Sequence, residues 1–102
     1  MTFLLNWTRA SGKNTLYKIT YTERFRKKYS KLEEKEKQQL KNKIKLLAQN
    51  PIHPSLRTKR IKGINALFET SINMDVRIIW YYEQERIILL VDLGHHDILR
   101  QY

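Results

Sequence analysis

Two apolar runs separated by a short polar stretch predict two adjacent strands in the last third of the chain. Residues 76–82 and 87–93 are rich in Ile, Val, Trp and Tyr, which suit a pleated, half-buried surface. Residues 83–86 lie between the two runs and predict a tight turn. The second run, IILLVDL, is almost entirely apolar, so we expect a central strand that is covered on both faces of its sheet.

Upstream of these strands, the pattern predicts a strand and two helices. Residues 16–22 alternate in polarity and predict the strand. Thr22 can cap a first helix over residues 23–29. The sequence SKLE at residues 30–33 fits a capping box, which predicts a second helix that begins there and runs to about residue 49.

The second helix is followed by a predicted loop and a further strand. The buried stripe of the helix is expected at three residues with helical spacing, Leu40, Ile44 and Leu47. Pro51 ends the helix, because proline supplies no donor and disfavours helix in the residue before it. Residues 51–63 contain both prolines and predict a loop, and residues 66–72 predict the next strand.

The predicted order is therefore one strand, two helices and a meander of three strands. Two helices in tandem with almost no linker predict a hairpin laid on one face of a mostly antiparallel sheet, which is an α+β two-layer domain. The 102 residues are enough for one such domain with its own core. We expect this domain to span residues 16–102 and residues 1–15 to form an N-terminal extension or an extra strand.

The charge of the chain favours a negatively charged target. Lys and Arg number 20 against 10 Asp and Glu, which gives a net charge of +10 and a pI near 10.0. Such an excess is typical of proteins that bind nucleic acid or an acidic protein, although lysines that serve only solubility are the simpler alternative. The absence of cysteine excludes disulfides and thiolate metal sites. No apolar run reaches the ~20 residues of a membrane span, so we expect a cytoplasmic protein without a membrane partner.

Two histidines and an aspartate follow Gly94 at the end of the last predicted strand. Imidazole titrates near neutral pH, so His96 is the first candidate for a catalytic acid or base, and a surface histidine at a strand end is the alternative. His95 points the other way if the strand continues, which fits a structural or substrate-contacting role. Asp97 can orient a histidine or cap a turn. Adjacent strand residues diverge and no third ligand has regular spacing, so we expect no metal site.

Arg77 is a charged residue within an otherwise apolar strand. Such a side chain needs a partner, a ligand or a position at the rim of the sheet. Two interpretations are open: a phosphate-binding arginine, or a structural ion pair with Glu69 or Asp92.

A cluster of cations precedes the last three predicted strands. It consists of Arg57, Lys59, Arg60 and Lys62. Charge clusters are usually solvated, but this one lies beside a glycine and the meander, which favours contacts with phosphate. Among the aromatic residues, Tyr81 and Tyr102 are candidates for stacking on unpaired bases, whereas Trp80 and Tyr82 are expected in the core.

Three short motifs occur in a fixed order along the predicted elements. They are KRIKG at residues 59–63, DVRIIW at residues 75–80 and DLGHHD at residues 92–97. Together they resemble the RelE/ParE superfamily of type II toxins, and more closely its RelE/YafQ side, over about residues 16–97. This resemblance implies a ribosome-dependent endoribonuclease that cuts mRNA, with an acidic antitoxin as its partner.

The resemblance also implies roles for individual residues. His96 matches the catalytic histidine and Arg77 the phosphate-binding arginine, while Arg60 and Lys62 match two basic catalytic positions. The further substrate contacts that we expect are Lys59, Arg57, Tyr81, His95, Arg100 and Tyr102. The reaction implied is attack of a 2′-OH on the neighbouring phosphorus, which requires no metal and no cofactor.

Two departures from the family pattern keep other functions open. Active relatives often carry an arginine on the strand before the meander turn, where this chain offers only Glu69, Thr70 and Ser71. They also tend to have Tyr or Phe four residues after the histidine, where this chain has Arg100. The alternatives are a ParE-like inhibitor of gyrase and a catalytically inactive module that binds an antitoxin.

Overall fold

The elements follow one another along the chain with short connections. The computed structural model describes residues 16–61, 66–84, 86–95 and 98. In chain order the elements are β1 (Lys18–Tyr21), α1 (Glu23–Ser30), α2 (Glu34–Gln49), a 3₁₀ turn (Pro54–Leu56), β2 (Lys59–Arg60), β3 (Phe68–Ser71), β4 (Val76–Gln84) and β5 (Ile87–His95). Neither of the two described helices has the length and apolar character needed to cross a membrane.

The strands form a single five-stranded sheet in the order β1-β5-β4-β3-β2. β1 lies parallel to β5, and the other pairs are antiparallel. The predicted α+β domain with a mostly antiparallel sheet is confirmed, and β5 is an interior strand between β1 and β4. The coverage of β5 is less even than expected, because Ile88 and Leu90 are buried whereas Ile87, Leu89 and Val91 are only half-buried.

The segment predicted as a loop, residues 51–63, contains a strand. Lys59 and Arg60 form β2, which pairs with Glu69 and Phe68 of β3. The meander therefore has four strands rather than three. Two consecutive charged residues show no alternation of apolar and polar side chains, so the pattern gave no signal for this strand.

The larger core lies between the helices and one face of the sheet. Leu40, Ile44 and Leu47 are fully buried, which confirms the predicted stripe of α2. They share a cluster with Phe25 of α1, with Trp80 and with apolar side chains of β1, β4 and β5. Both helices therefore cover the same face, which we call the helix face.

The opposite face of the sheet, which we call the open face, carries a smaller cluster. Ile61, Ile79 and Ile98 are buried there, and Leu67 and Val91 pack beside them. The two described helices contribute no side chain to this cluster. Neither described helix therefore packs on the cluster of the open face.

Gly94 allows the side chain of Ile98 to approach β5 closely. A Cβ at this position would lie 2.8 Å from Cδ1 of Ile98, closer than carbon atoms of side chains normally approach. The missing side chain lets Ile98 reach Ile79 and Ile61 in the open-face cluster. The absence of a side chain at Gly94 thus makes room for Ile98 on the open face.

The N-terminus of α1 is capped as predicted. The Thr22 hydroxyl accepts a hydrogen bond from the backbone N–H of Phe25 at 3.1 Å and donates one to the carbonyl of Val91 at 2.7 Å. The same side chain therefore starts the helix and joins it to β5.

The predicted cap of α2 is wrong by three residues. Its N-cap is Glu33, which forms a reciprocal capping box with Glu36, whose carboxylate accepts from the Glu33 backbone N–H at 3.2 Å. Ser30 instead ends α1, and its hydroxyl donates to the carbonyl of Lys27. Glu33 ends one candidate box and begins the next, so the sequence alone favoured the earlier serine.

We expect Thr22→Ala to reduce the free energy of unfolding by about 1–2 kcal/mol, because the change removes an N-cap acceptor together with the bond to β5. Ser30→Ala is the matched control, since its exposed hydroxyl bonds only within its own helix. Urea unfolding measures both variants. Equal losses in the two variants would contradict the role given to Thr22.

Candidate functional site

Arg77 lies on the open face, near the end of the sheet where β5 finishes. It is paired with Gly94 on one side and with Ser71 on the other. Its side chain is 19% exposed, and Nη1 donates to the carbonyls of Asn73 at 2.8 Å and Val76 at 3.3 Å. The guanidinium is thus anchored to the turn that precedes β4 while part of it remains open to solvent.

A buried carboxylate joins Arg77 to a second cation. Glu69 is 2% exposed, with Oε2 3.5 Å from Nε of Arg77 and Oε1 3.5 Å from Nζ of Lys59. The structural ion pair that we considered for Arg77 therefore exists, and its partner is Glu69. Asp92 is paired instead with Lys28 at 2.8 Å and Arg24 at 3.6 Å.

We call the group formed by Lys59, Glu69 and Arg77 the cation pair site. Both ion contacts are longer than an ordinary hydrogen bond, and Oε1 of Glu69 accepts no hydrogen bond from the described residues. The side chain of Lys59 is 69% exposed and can turn towards an external anion. With two cations and one carboxylate, the site carries a formal charge of +1.

Arg60 does not join the cation pair site. It pairs with Phe68, which pairs in turn with Trp80 of the helix-face core. Directly paired residues point to the same side of a sheet, so Arg60 lies on the helix face while its neighbour Lys59 lies on the open face. The Arg60 guanidinium sits over the Phe68 ring, 5.6 Å from its centroid.

Two other predicted substrate contacts are not members of the cation pair site. His95 is paired with Val76, and its Nε2 lies 3.6 Å from Oδ2 of Asp75 and 3.9 Å from Oε2 of Glu36. Arg57 has a left-handed backbone (φ 50°) after the 3₁₀ turn and lines a cavity of about 230 Å³, which Asn73 also lines. The structure thus separates the predicted basic cluster into at least two surfaces.

The two tyrosines of β4 alternate between the faces. Tyr81 is half-buried on the face that carries Arg77 and Ile79, as expected. Tyr82 points to the helix face but is 40% exposed, so its predicted place in the core is wrong, whereas Trp80 is fully buried as predicted. Tyr82 lies close to the end of β4, where it is incompletely covered.

Four predicted site residues, together with Asp97, lie outside the described residues. The four are Lys62, His96, Arg100 and Tyr102. The predictions about them, and about residues 1–15, remain predictions. Among the described residues, no group of three or more His, Asp or Glu side chains is arranged to hold a metal ion.

Solved structures share this fold at low sequence identity. The archaeal RelE–RelB complex from Pyrococcus horikoshii OT3 has a TM-score of 0.69 and 14% identity, over 81% of this chain and 98% of that chain. YafQ from E. coli strain BL21(DE3) gives 0.66 and 17%, over 81% and 97%. The E. coli DinJ–YafQ complex gives 0.65 and 16%, over 79% and 93%. No curated protein matches the sequence.

The fold is therefore that of the RelE-like toxins. A family model described as "Bacterial toxin of type II toxin-antitoxin system, YafQ" matches residues 17–101. The chain belongs to this YafQ family of type II toxins, which confirms the resemblance drawn from the three sequence motifs.

Arg77→Met should reduce the free energy of unfolding by roughly 2–4 kcal/mol, because it leaves the buried Glu69 carboxylate with only an exposed lysine for compensation. Adding Glu69→Gln to that variant should recover most of the loss, since the buried charge is then removed as well. Thermal or urea unfolding of the single and double variants gives the coupling free energy between Arg77 and Glu69.

Arg26→Met is the control for that cycle. It breaks an ion pair with Glu23 that lies in solvent, so stability should stay almost unchanged. If Arg77→Met is as mild as Arg26→Met, Glu69 does not depend on Arg77.

Proposed function

We propose that this toxin is a metal-independent endoribonuclease that cuts mRNA on the ribosome. The observation that carries this proposal is the cation pair site, where Lys59 and Arg77 both contact Glu69 on the open face. His96 follows directly after β5, whose Gly94 is paired with Arg77. The family relationship supports it at the level of the toxin class. The excess of positive charge fits a polyanionic substrate.

In the proposed reaction, the 2′-oxygen attacks the adjacent phosphorus and the bond from phosphorus to the 5′-oxygen breaks. A base removes the 2′-OH proton, and an acid supplies a proton to the departing 5′-oxygen. His96 is the proposed acid or base, because imidazole can hold either protonation state near neutral pH. The products are a 2′,3′-cyclic phosphate and a free 5′-hydroxyl.

Arg77 is proposed to bind the phosphate during this step. A guanidinium has five N–H donors in a planar fork that matches a phosphate. In the described structure Nε faces Glu69 and Nη1 is held by backbone carbonyls, so Nη2 is left for an oxygen of the substrate. Donors fixed before the substrate arrives stabilise the developing charge without reorganising.

Lys59 is proposed as the second phosphate contact. Its ammonium is exposed and is held only at 3.5 Å from Glu69, so moving to a nearby phosphate oxygen costs little. A phosphate would take over the role that Glu69 has as the counter-ion of Lys59. Glu69 keeps both cations close together, so we assign it a positioning role.

The proposed partner that restrains this activity is an acidic antitoxin. Two of the structural relatives are complexes, RelE with RelB and YafQ with DinJ. An acidic chain can cover the basic surface of this toxin and gains order when it binds.

One observation favours a second candidate, an inactive module that only binds antitoxin. Glu69 neutralises part of the charge at the place where relatives often carry an arginine. If the negative charge of Glu69 cancels too much of the positive charge of Lys59 and Arg77, phosphate would bind too weakly for cleavage. The fold and the antitoxin surface would still be kept.

Expression of the toxin without its antitoxin tests the two candidates. We expect growth arrest and cleaved mRNA, which primer extension on translating ribosomes maps. Arg77→Lys should lower the cleavage rate at least tenfold, because a point charge replaces the fork while the counter-ion of Glu69 is kept. His96→Ala should also relieve the arrest.

Lys35→Arg on the exposed side of α2 is the matched control and should cleave like the wild-type protein. Intact mRNA and normal growth with wild-type toxin that still binds antitoxin would establish the inactive module. Cleavage by Arg77→Lys at the wild-type rate would remove Arg77 from the proposed site.

A further inference from the structure

A row of aromatic rings crosses the helix face of the sheet where β4 ends. Tyr17 lies 5.7 Å from Tyr82, and Tyr82 lies 5.5 Å edge-on from Phe68, between ring centroids. Trp80 stacks on Phe68 at 4.7 Å and meets Tyr82 edge-on at 5.1 Å. The rings therefore form one connected surface, which we call the aromatic row.

The aromatic row is only partly covered by the protein. Trp80 is its buried floor, and its Nε1 donates to Oγ1 of Thr70 at 2.8 Å. Tyr17 and Phe68 are half-buried, and Tyr82 is 40% exposed. Burial and the nearby Tyr17 raise the pKa of Tyr82, so its phenol stays neutral at physiological pH. An incompletely covered set of rings offers flat apolar area to a ligand.

Each end of the aromatic row carries an arginine. The Arg86 guanidinium lies 5.4 Å from the centroid of the Tyr17 ring, and the Arg60 guanidinium lies 5.6 Å from that of Phe68. Both arginines are exposed. At the Tyr17 end, a cavity of about 340 Å³ is lined by Tyr17, Tyr82, Gln84 and Arg86, with no carboxylate among these residues.

We propose that the aromatic row binds a segment of single-stranded RNA by stacking on its unpaired bases. Aromatic faces accept any base, and an arginine plane both extends the stack and meets the phosphate of the stacked nucleotide. The amide of Gln84 supplies a donor and an acceptor for a base edge. This proposal takes from the proposed function only that the target is RNA. It does not depend on cleavage of that RNA.

An acidic peptide is the competing occupant, and the geometry favours RNA over it. A peptide anchor needs a pocket that encloses an apolar side chain, whereas this surface offers open ring faces with cationic planes at both ends. The surface also lies on the opposite side of the sheet from Arg77. A nucleotide on the aromatic row is therefore separate from the phosphate that is cut.

The test measures binding of a probe that cannot be cleaved, a fluorescein-labelled 12-nucleotide oligouridylate with 2′-O-methyl groups throughout. Tyr82→Leu should weaken binding by at least about fivefold, because it removes an exposed π-face and keeps an apolar side chain. Tyr82→Phe should bind like the wild-type protein, because the ring remains. Thermal unfolding of each variant verifies that the fold is intact.

The salt dependence separates stacking from charge. Tyr82→Leu should leave the slope of log affinity against log salt unchanged, since stacking releases no counter-ion. Arg60→Gln should weaken binding more than Lys45→Gln, a control for an exposed cation on α2. Arg60→Gln should also reduce the magnitude of this slope by about one, as expected for the loss of one phosphate contact.

Three results would overturn the proposal. They are wild-type affinity in Tyr82→Leu, a loss in Tyr82→Phe equal to that in Tyr82→Leu, and a loss of antitoxin binding by Tyr82→Leu with RNA binding intact. The last result would assign the surface to a protein partner. If the wild-type protein cuts no mRNA but Tyr82→Leu loses RNA affinity as expected, only the nuclease proposal fails.

Discussion

The pairing of β4 with β5 decides which side chains of this toxin can meet. Its register places Arg77 opposite Gly94 and Tyr82 opposite Ile88. A shift by one residue would move Ile78 and Trp80 out of the helix-face core, so the apolar pattern holds the register firmly. An irregularity between Ile79 and Trp80 absorbs one extra residue of β5 without changing the alternation along β4. Every charged and aromatic side chain of β4 therefore has a fixed face.

The buried carboxylate of Glu69 is the main electrostatic constraint on the open face. A carboxylate that is 2% exposed is costly unless cations lie close to it, and Arg77 and Lys59 are the described cations that do. The same contacts hold two positive groups near each other, which would otherwise repel. Stability and the proposed phosphate binding thus depend on one arrangement, and Glu69 sets how much net charge remains for a substrate.

Features that depend on neighbours in the sequence were predictable. The stripe of α2 follows from helical spacing, the Thr22 cap from its hydroxyl before the helix, and the interior position of β5 from a continuous apolar run. The ion pair of Arg77 with Glu69 was one of two options, because an arginine in an apolar strand needs an anion but the sequence does not say which.

Features that depend on strand pairing were not predictable. β2 has two charged residues, so neither its existence nor the face of Arg60 is visible in the pattern. Tyr82 continues the alternation of Ile78 and Trp80, yet it lies where the helices no longer cover the sheet and remains exposed. Periodicity gives the direction of a side chain, while its burial depends on what lies over it.

The edge strand β2 links the two faces of the sheet. Lys59 points to the open face and Arg60 to the helix face, although the two residues are adjacent in the chain. An RNA strand that places one phosphate at Arg77 and stacks its bases on the aromatic row can pass around this edge. On this path the RNA would meet Lys59 on the open face and Arg60 on the helix face. An edge strand that points a positive charge to each face also resists pairing with another strand, so the same two residues keep the sheet from extending while they offer a path for a polyanion.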